Sequence, residues 1–99
     1  MLTKEQALKL VSDKLRHMSP KDDVFVVADQ ETIVKPYGWI FFYNSKTFLE
    51  NGINSYRLAG NGPVIVNKDT GTVEFCGTNK PTIDVIQEYE WKLAGGKAP

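Results

Sequence analysis

The run Gly38-Trp39-Ile40-Phe41-Phe42-Tyr43-Asn44 constrains the fold more than any other part of this chain. A strand alternates its side chains between two faces, so Trp39, Phe41 and Tyr43 point one way and Ile40 and Phe42 the other. Both faces are apolar and largely aromatic. A strand with one wet face reads apolar-polar-apolar, and this one does not. Each side therefore needs a cover, whether helix, loop or another protein.

The flanking elements limit what those covers can be. Thr3 and Gln6 form a capping box that starts a helix, and Ala7, Leu8, Val11, Leu15 and Met18 give it an apolar stripe. Ser19-Pro20 ends it, because the residue before proline avoids helical dihedrals. Val24-Phe25-Val26-Val27 reads as a strand buried on both faces, and Ile33-Val34-Lys35 begins another that Pro36 interrupts before the Gly38–Asn44 run. Residues 45–62 contain two turn signals, Asn51-Gly52 and Asn61-Gly62, yet also Phe48, Leu49, Ile53, Tyr56 and Leu58. That is too apolar for a solvated loop, so the segment is expected to pack on something. Val64–Asn67 and Thr72–Cys76 flank Lys68-Asp69-Thr70-Gly71, which suits a three-residue hairpin closed by a left-handed glycine. A second helix is predicted from about Pro81 to Leu93, with Ile83, Ile86, Tyr89 and Leu93 inward and Gly95 closing it.

Helix, four strands, helix is the pattern of an α+β two-layer sandwich with a mainly antiparallel four-stranded sheet. Such a sheet is about 15–20 Å wide, and two helices of about 10 Å each cover one face of it. The N- and C-terminal helices are thus expected on one face, leaving the other for residues 45–62 or a partner. Ninety-nine residues suffice for one core and not for two, so a single domain over residues 1–95 with a flexible tail at 96–99 is expected.

Composition narrows the function. Twelve basic residues balance twelve acidic ones, seven against seven in residues 1–50 and five against five in residues 51–99. A nucleic-acid or anionic-membrane binder carries a basic excess that is missing here. The start of the chain has no basic-then-apolar signal pattern and no apolar run reaches membrane-spanning length, so a cytoplasmic protein is expected. A single cysteine, Cys76, rules out an internal disulfide and the common zinc clusters.

No constellation of catalytic residues stands out in the sequence. His17, the only histidine, falls at the end of the first helix, where an imidazole caps carbonyls, and no nucleophile accompanies it. Cys76 in a strand reads as a packed thiol. Asp22-Asp23, the only acidic pair, sits in a turn without calcium-loop spacing. The glycines form no phosphate cradle. The Gly38–Tyr43 run has some likeness to the aromatic strand of RNA-recognition motifs, but lacks its leading basic residue. No cofactor, no metal site and no enzyme activity are expected.

Taken together, Gly38-Trp39-Ile40-Phe41-Phe42-Tyr43-Asn44-Ser45, then Leu58-Ala59-Gly60-Asn61-Gly62-Pro63-Val64-Ile65-Val66, the Asp69-x-Gly71 turn and Gly77-Thr78 resemble the immunity protein 35 (YrhB-like) family, over nearly the whole chain. The resemblance implies a small cytoplasmic α+β protein, encoded beside a polymorphic toxin, that protects its producer by binding the cognate toxin. It also leaves room for a chaperone-like role in binding unfolded polypeptides. Either role needs an exposed recognition surface and no catalytic site. Interface energy concentrates in aromatic and arginine anchors, which points to Tyr37, Tyr43, Phe48, Tyr56 and Arg57, with Asp22 and Asp23 available to a basic toxin surface. Trp39 and Phe41 are expected in the core. The expected partner is thus a cognate toxin, with no nucleic acid or membrane, and the protein itself a monomer or weak homodimer.

Overall fold

A computed structural model describes residues 1–21, 23–52 and 62–95. Helix α1 (Lys4–Met18) starts at the capping box read from the sequence: Thr3 Oγ1 accepts from the Gln6 amide at 3.2 Å, and the Gln6 side chain accepts from the Thr3 amide at 2.9 Å. Its end is tied into the next element. Ser19 Oγ donates to the Leu15 carbonyl at 2.7 Å and accepts from the Phe25 amide at 2.9 Å. The buried stripe is Ala7, Val11 and Leu15, while Met18 is exposed.

Strand β1 (Phe25–Val27) follows, then a 3-10 turn at Asp29–Glu31, β2 (Ile33–Lys35), β3 (Gly38–Phe41) and β4 (Tyr43–Ser45). β1 is only half-buried, and Val24 is exposed, so this strand is not sealed on both sides as expected. The Gly38–Asn44 run is not one strand. Phe42 lies between β3 and β4 and its carbonyl accepts from the Ala28 amide at 2.8 Å, handing the chain from one sheet to another. β4 pairs with β1 in a two-stranded ribbon.

A helix that the sequence reading missed comes next: α2 (Lys46–Asn51). Ser45 Oγ accepts from the Phe48 amide at its start, and Gly52 ends it at φ +69° with its amide on the Phe48 carbonyl at 2.7 Å. Asn51-Gly52, read as a plain turn, is therefore a helix stop. β5 (Val64–Asn67) and β6 (Val73–Phe75) form the expected hairpin, but its loop holds four residues rather than three: the Asn67 amide donates to the Thr72 carbonyl and the Gly71 amide to the Asn67 carbonyl. Asn67 Oδ1 stiffens it by accepting from the Asp69 and Thr70 amides, and Gly71 takes φ +74°. Helix α3 (Thr82–Leu93) closes the described chain, with Pro81 as its cap rather than its first residue.

The main sheet is antiparallel, in the order β2-β3-β5-β6, pairing Trp39 with Val66, Ile40 with Ile65 and Phe41 with Val64. The α+β class and four-stranded antiparallel sheet agree with the sequence reading. The placement of the helices does not. Ala7, Val11 and Leu15 of α1 pack with Trp39, Phe41, Tyr43, Val64 and Val66. Ile86 of α3 packs with Ile40 and Ile65, on the opposite side. One helix covers each face, giving three layers instead of two. One helix per face suffices, because within the main sheet only the central pair β3 and β5 is apolar on both faces. Two strands about 5 Å apart fit beneath one helix of about 10 Å. Neither parity of the Gly38–Asn44 run faces out: Tyr43 is buried on one side and Phe42 half-buried on the other.

Candidate protein-interaction surface

Among the described residues no group of three or more His, Cys, Asp or Glu side chains could hold a metal ion, and no helix is long and apolar enough to cross a membrane. His17 Nδ1 donates to the Asp13 carbonyl at 2.7 Å, closing the end of α1. Cys76 is half-buried, and burial, then the nearby Glu74 carboxylate, raise its thiol pKa above the ordinary value. Among the described residues neither is hydrogen-bonded to a side chain suited to nucleophilic or acid–base chemistry.

The predicted contact residues fall into separate places. Asp23 sits at the entry to β1 and its carboxylate is engaged at every side. Oδ2 accepts from Ser45 Oγ, and Oδ1 from the Val24 amide at 2.7 Å, the Thr47 hydroxyl at 3.2 Å and the Thr47 amide at 3.4 Å. The Ser45 bond, foremost among these, holds the Asp23 pKa below the usual carboxylate value. The first turn of α2 is thereby pinned to β1. Tyr43 lies one strand earlier, buried between Phe25 and Phe75 with ring centroids at 6.3 and 6.0 Å, and Phe48 on α2 is half-buried. Asp23, Tyr43 and Phe48 thus gather around the β4–α2 junction. Asp22, Tyr56 and Arg57 lie outside the described residues.

Tyr37 belongs to a different cluster. It occupies the β2–β3 turn, packs its ring at a tilt against Tyr89 of α3 with centroids 5.3 Å apart, and donates its hydroxyl to Glu90 Oε2 at 2.8 Å. Lys35 Nζ meets the same oxygen at 3.0 Å. Burial, then the Glu90 contact, push the Tyr37 pKa well above that of an ordinary tyrosine, while Lys35 and then Tyr37 hold Glu90 below the usual range. This cluster locks the hairpin turn against α3.

Beside it lies a surface that the periodicity reading assigned to the core. Ile83 is 63% exposed and Leu93 47%, and Trp91 on the same helix is exposed too. Six of the twelve residues of α3 are large apolar ones, more than a single stripe can bury, and that count is the signal that marks the surplus. A groove of about 490 Å³ runs between α3 and β2, walled by Ile33, Ile83 and Ile86 and bordered by Lys35 and Glu90. It continues past Glu90 into a depression walled by Pro36, Tyr37 and Leu93 with Asp69 at its rim. Val34, the middle residue of edge strand β2, is 71% exposed. An open trough of this kind can bind a protein segment.

The chain is similar to the uncharacterized protein YrhB of Escherichia coli (strain K12), at 46% identity over 57 residues. The aligned stretch is 58% of this chain and 61% of that protein, less than two thirds of its length. No solved structure matches. Residues 5–92, spanning α1 through α3, match the immunity protein 35 family, and the chain belongs to that family.

Proposed function

We propose that this protein is an immunity protein that protects a toxin-producing bacterium by binding the cognate toxin stoichiometrically. The family match across residues 5–92 carries the proposal. The exposed apolar surface around α3 supports it, since neutralisation by binding needs a recognition surface and no catalytic apparatus. The protein acts in the cytoplasm, without a cofactor, as a monomer or weak homodimer that pairs with one toxin molecule. Tyr37 and Phe48, both half-buried, keep part of their rings available to a partner, whereas Asp23 serves recognition by holding α2 in place.

The test is co-expression with the toxin domain encoded beside the gene. Restored growth together with an equimolar complex on size exclusion is the expected result. Loss of both would overturn the proposal. Suppressed aggregation of unrelated unfolded proteins, with no complex, would assign the chain to chaperone-like binding instead.

A further inference from the structure

We infer that the trough between α3 and β2 receives an extended segment of the toxin that combines apolar side chains with an arginine or lysine. The inference rests on the immunity reading and specifies the surface that carries it out. Three observations define the occupant.

The first is charge. The ionised groups lining the trough are Lys35, Asp69 and Glu90. The Lys35 ammonium is held by Glu90 Oε2, which also takes the Tyr37 hydroxyl. Glu90 is thus balanced by Lys35, whereas the Asp69 carboxylate is in no ion pair among the described residues. The surplus charge presented to a visitor is negative, so a cation completes it.

The second is the apolar wall. Pro36 and Leu93 beside Asp69, and Ile33 and Ile83 beyond the Lys35–Glu90 pair, leave apolar surface next to the unpaired carboxylate and further along the trough. The matching ligand places its cationic residue next to apolar neighbours.

The third is the strand edge. Among the described residues β2 pairs only with β3, so no described strand occupies its outer edge, the position that strand addition uses. Edge strands are usually guarded by a projecting lysine. Here the single charged residue of β2, Lys35, is turned toward α3 and neutralised there, so the guard does not stand over the edge.

The experiment measures affinity for the toxin domain encoded beside the gene, in a catalytically inactive form. Ile83→Asp puts a charge on an exposed wall residue, and Asp69→Lys reverses the free carboxylate. Leu10→Asp, on α1 across the sheet, is the control, and circular dichroism verifies that each variant folds. Ile83→Asp and Asp69→Lys should each weaken binding about tenfold or more, Leu10→Asp should leave it unchanged, and added salt should weaken the wild type more than Asp69→Lys. Tight wild-type binding that Ile83→Asp and Asp69→Lys do not disturb would overturn this inference and leave the immunity reading intact. No binding by the wild type would overturn both. A dimer of this chain that Ile83→Asp dissociates, with toxin affinity unaffected, would assign the trough to a second copy and overturn the inference.

Discussion

Ile40 offers a direct measure of whether α3 seals the second face of the sheet. Its side chain is fully buried, against Ile65 and Ile86. Ile40→Ala removes three carbons, a transfer loss of about 2.4 kcal/mol at about 0.8 kcal/mol each. Incomplete collapse of the vacated space adds about 1 kcal/mol, for a total of about 3–4 kcal/mol, within the range of about 2–5 seen for such truncations. A chain of 99 residues has a stability of about 5–15 kcal/mol, so the loss is a large fraction. Urea unfolding with a slope of about 1.5 kcal/mol per molar should show the midpoint falling by about 2 M with the slope unchanged. Phe41→Ala, on the α1 face and equally buried, should cost about 3–5 kcal/mol. Val34→Ala, at a site 71% exposed, should stay within about 0.5 kcal/mol. A cost below about 1 kcal/mol for Ile40→Ala, beside a full cost for Phe41→Ala, would refute the three-layer arrangement.

Other consequences can be read in the same way. Gly38 starts β3 at φ +152°, and a Cβ there would lie 1.9 Å from the Val66 carbonyl oxygen, so Gly38→Ala should lower the melting temperature by about 10 °C or more. Asp23 has a folded-state pKa below its unfolded value, so it adds stability above the ordinary carboxylate pKa and loses it as pH falls through the folded one. Melting temperatures taken from pH 6 to pH 3 should therefore fall less steeply for Asp23→Asn than for the wild type. Tyr37 and Tyr43 both titrate above an ordinary tyrosine, so absorbance at alkaline pH should show a late-ionising fraction that Tyr37→Phe diminishes. Cys76, raised by burial, should react with a disulfide reagent more slowly at pH 8 than a free thiol, with denaturant restoring the rate.

Features set by near neighbours were readable from the chain alone. The Thr3–Gln6 capping box spans three residues, and Gly71 closes its turn within four of Asn67. The two terminal helices, the hairpin and the apolar character of both faces of Trp39–Phe41 belong to the same class. α2 escaped because six residues with no buried side chain are too short to show a period, and its start is held by Asp23, 22 residues away from Ser45. The exposed positions of Ile83 and Leu93 escaped because helical spacing says which residues share a stripe, and not which stripe meets the sheet.

The alternating run from Gly38 to Asn44 required cover on both faces, since neither set of its side chains is stable in water. It could not say what the covers were. Tertiary structure decided that α1 takes the face of Trp39 and Phe41, that α3 takes the face of Ile40, and that Phe42 ends the strand. It also decided that the exposed apolar side chains Ile83, Trp91 and Leu93 gather on the flank of α3 rather than on the run itself. The Tyr37–Glu90 contact that frames this flank joins residues 53 apart, and such pairings depend on the relative placement of whole elements. Local patterns state what must be buried; only packing states against what.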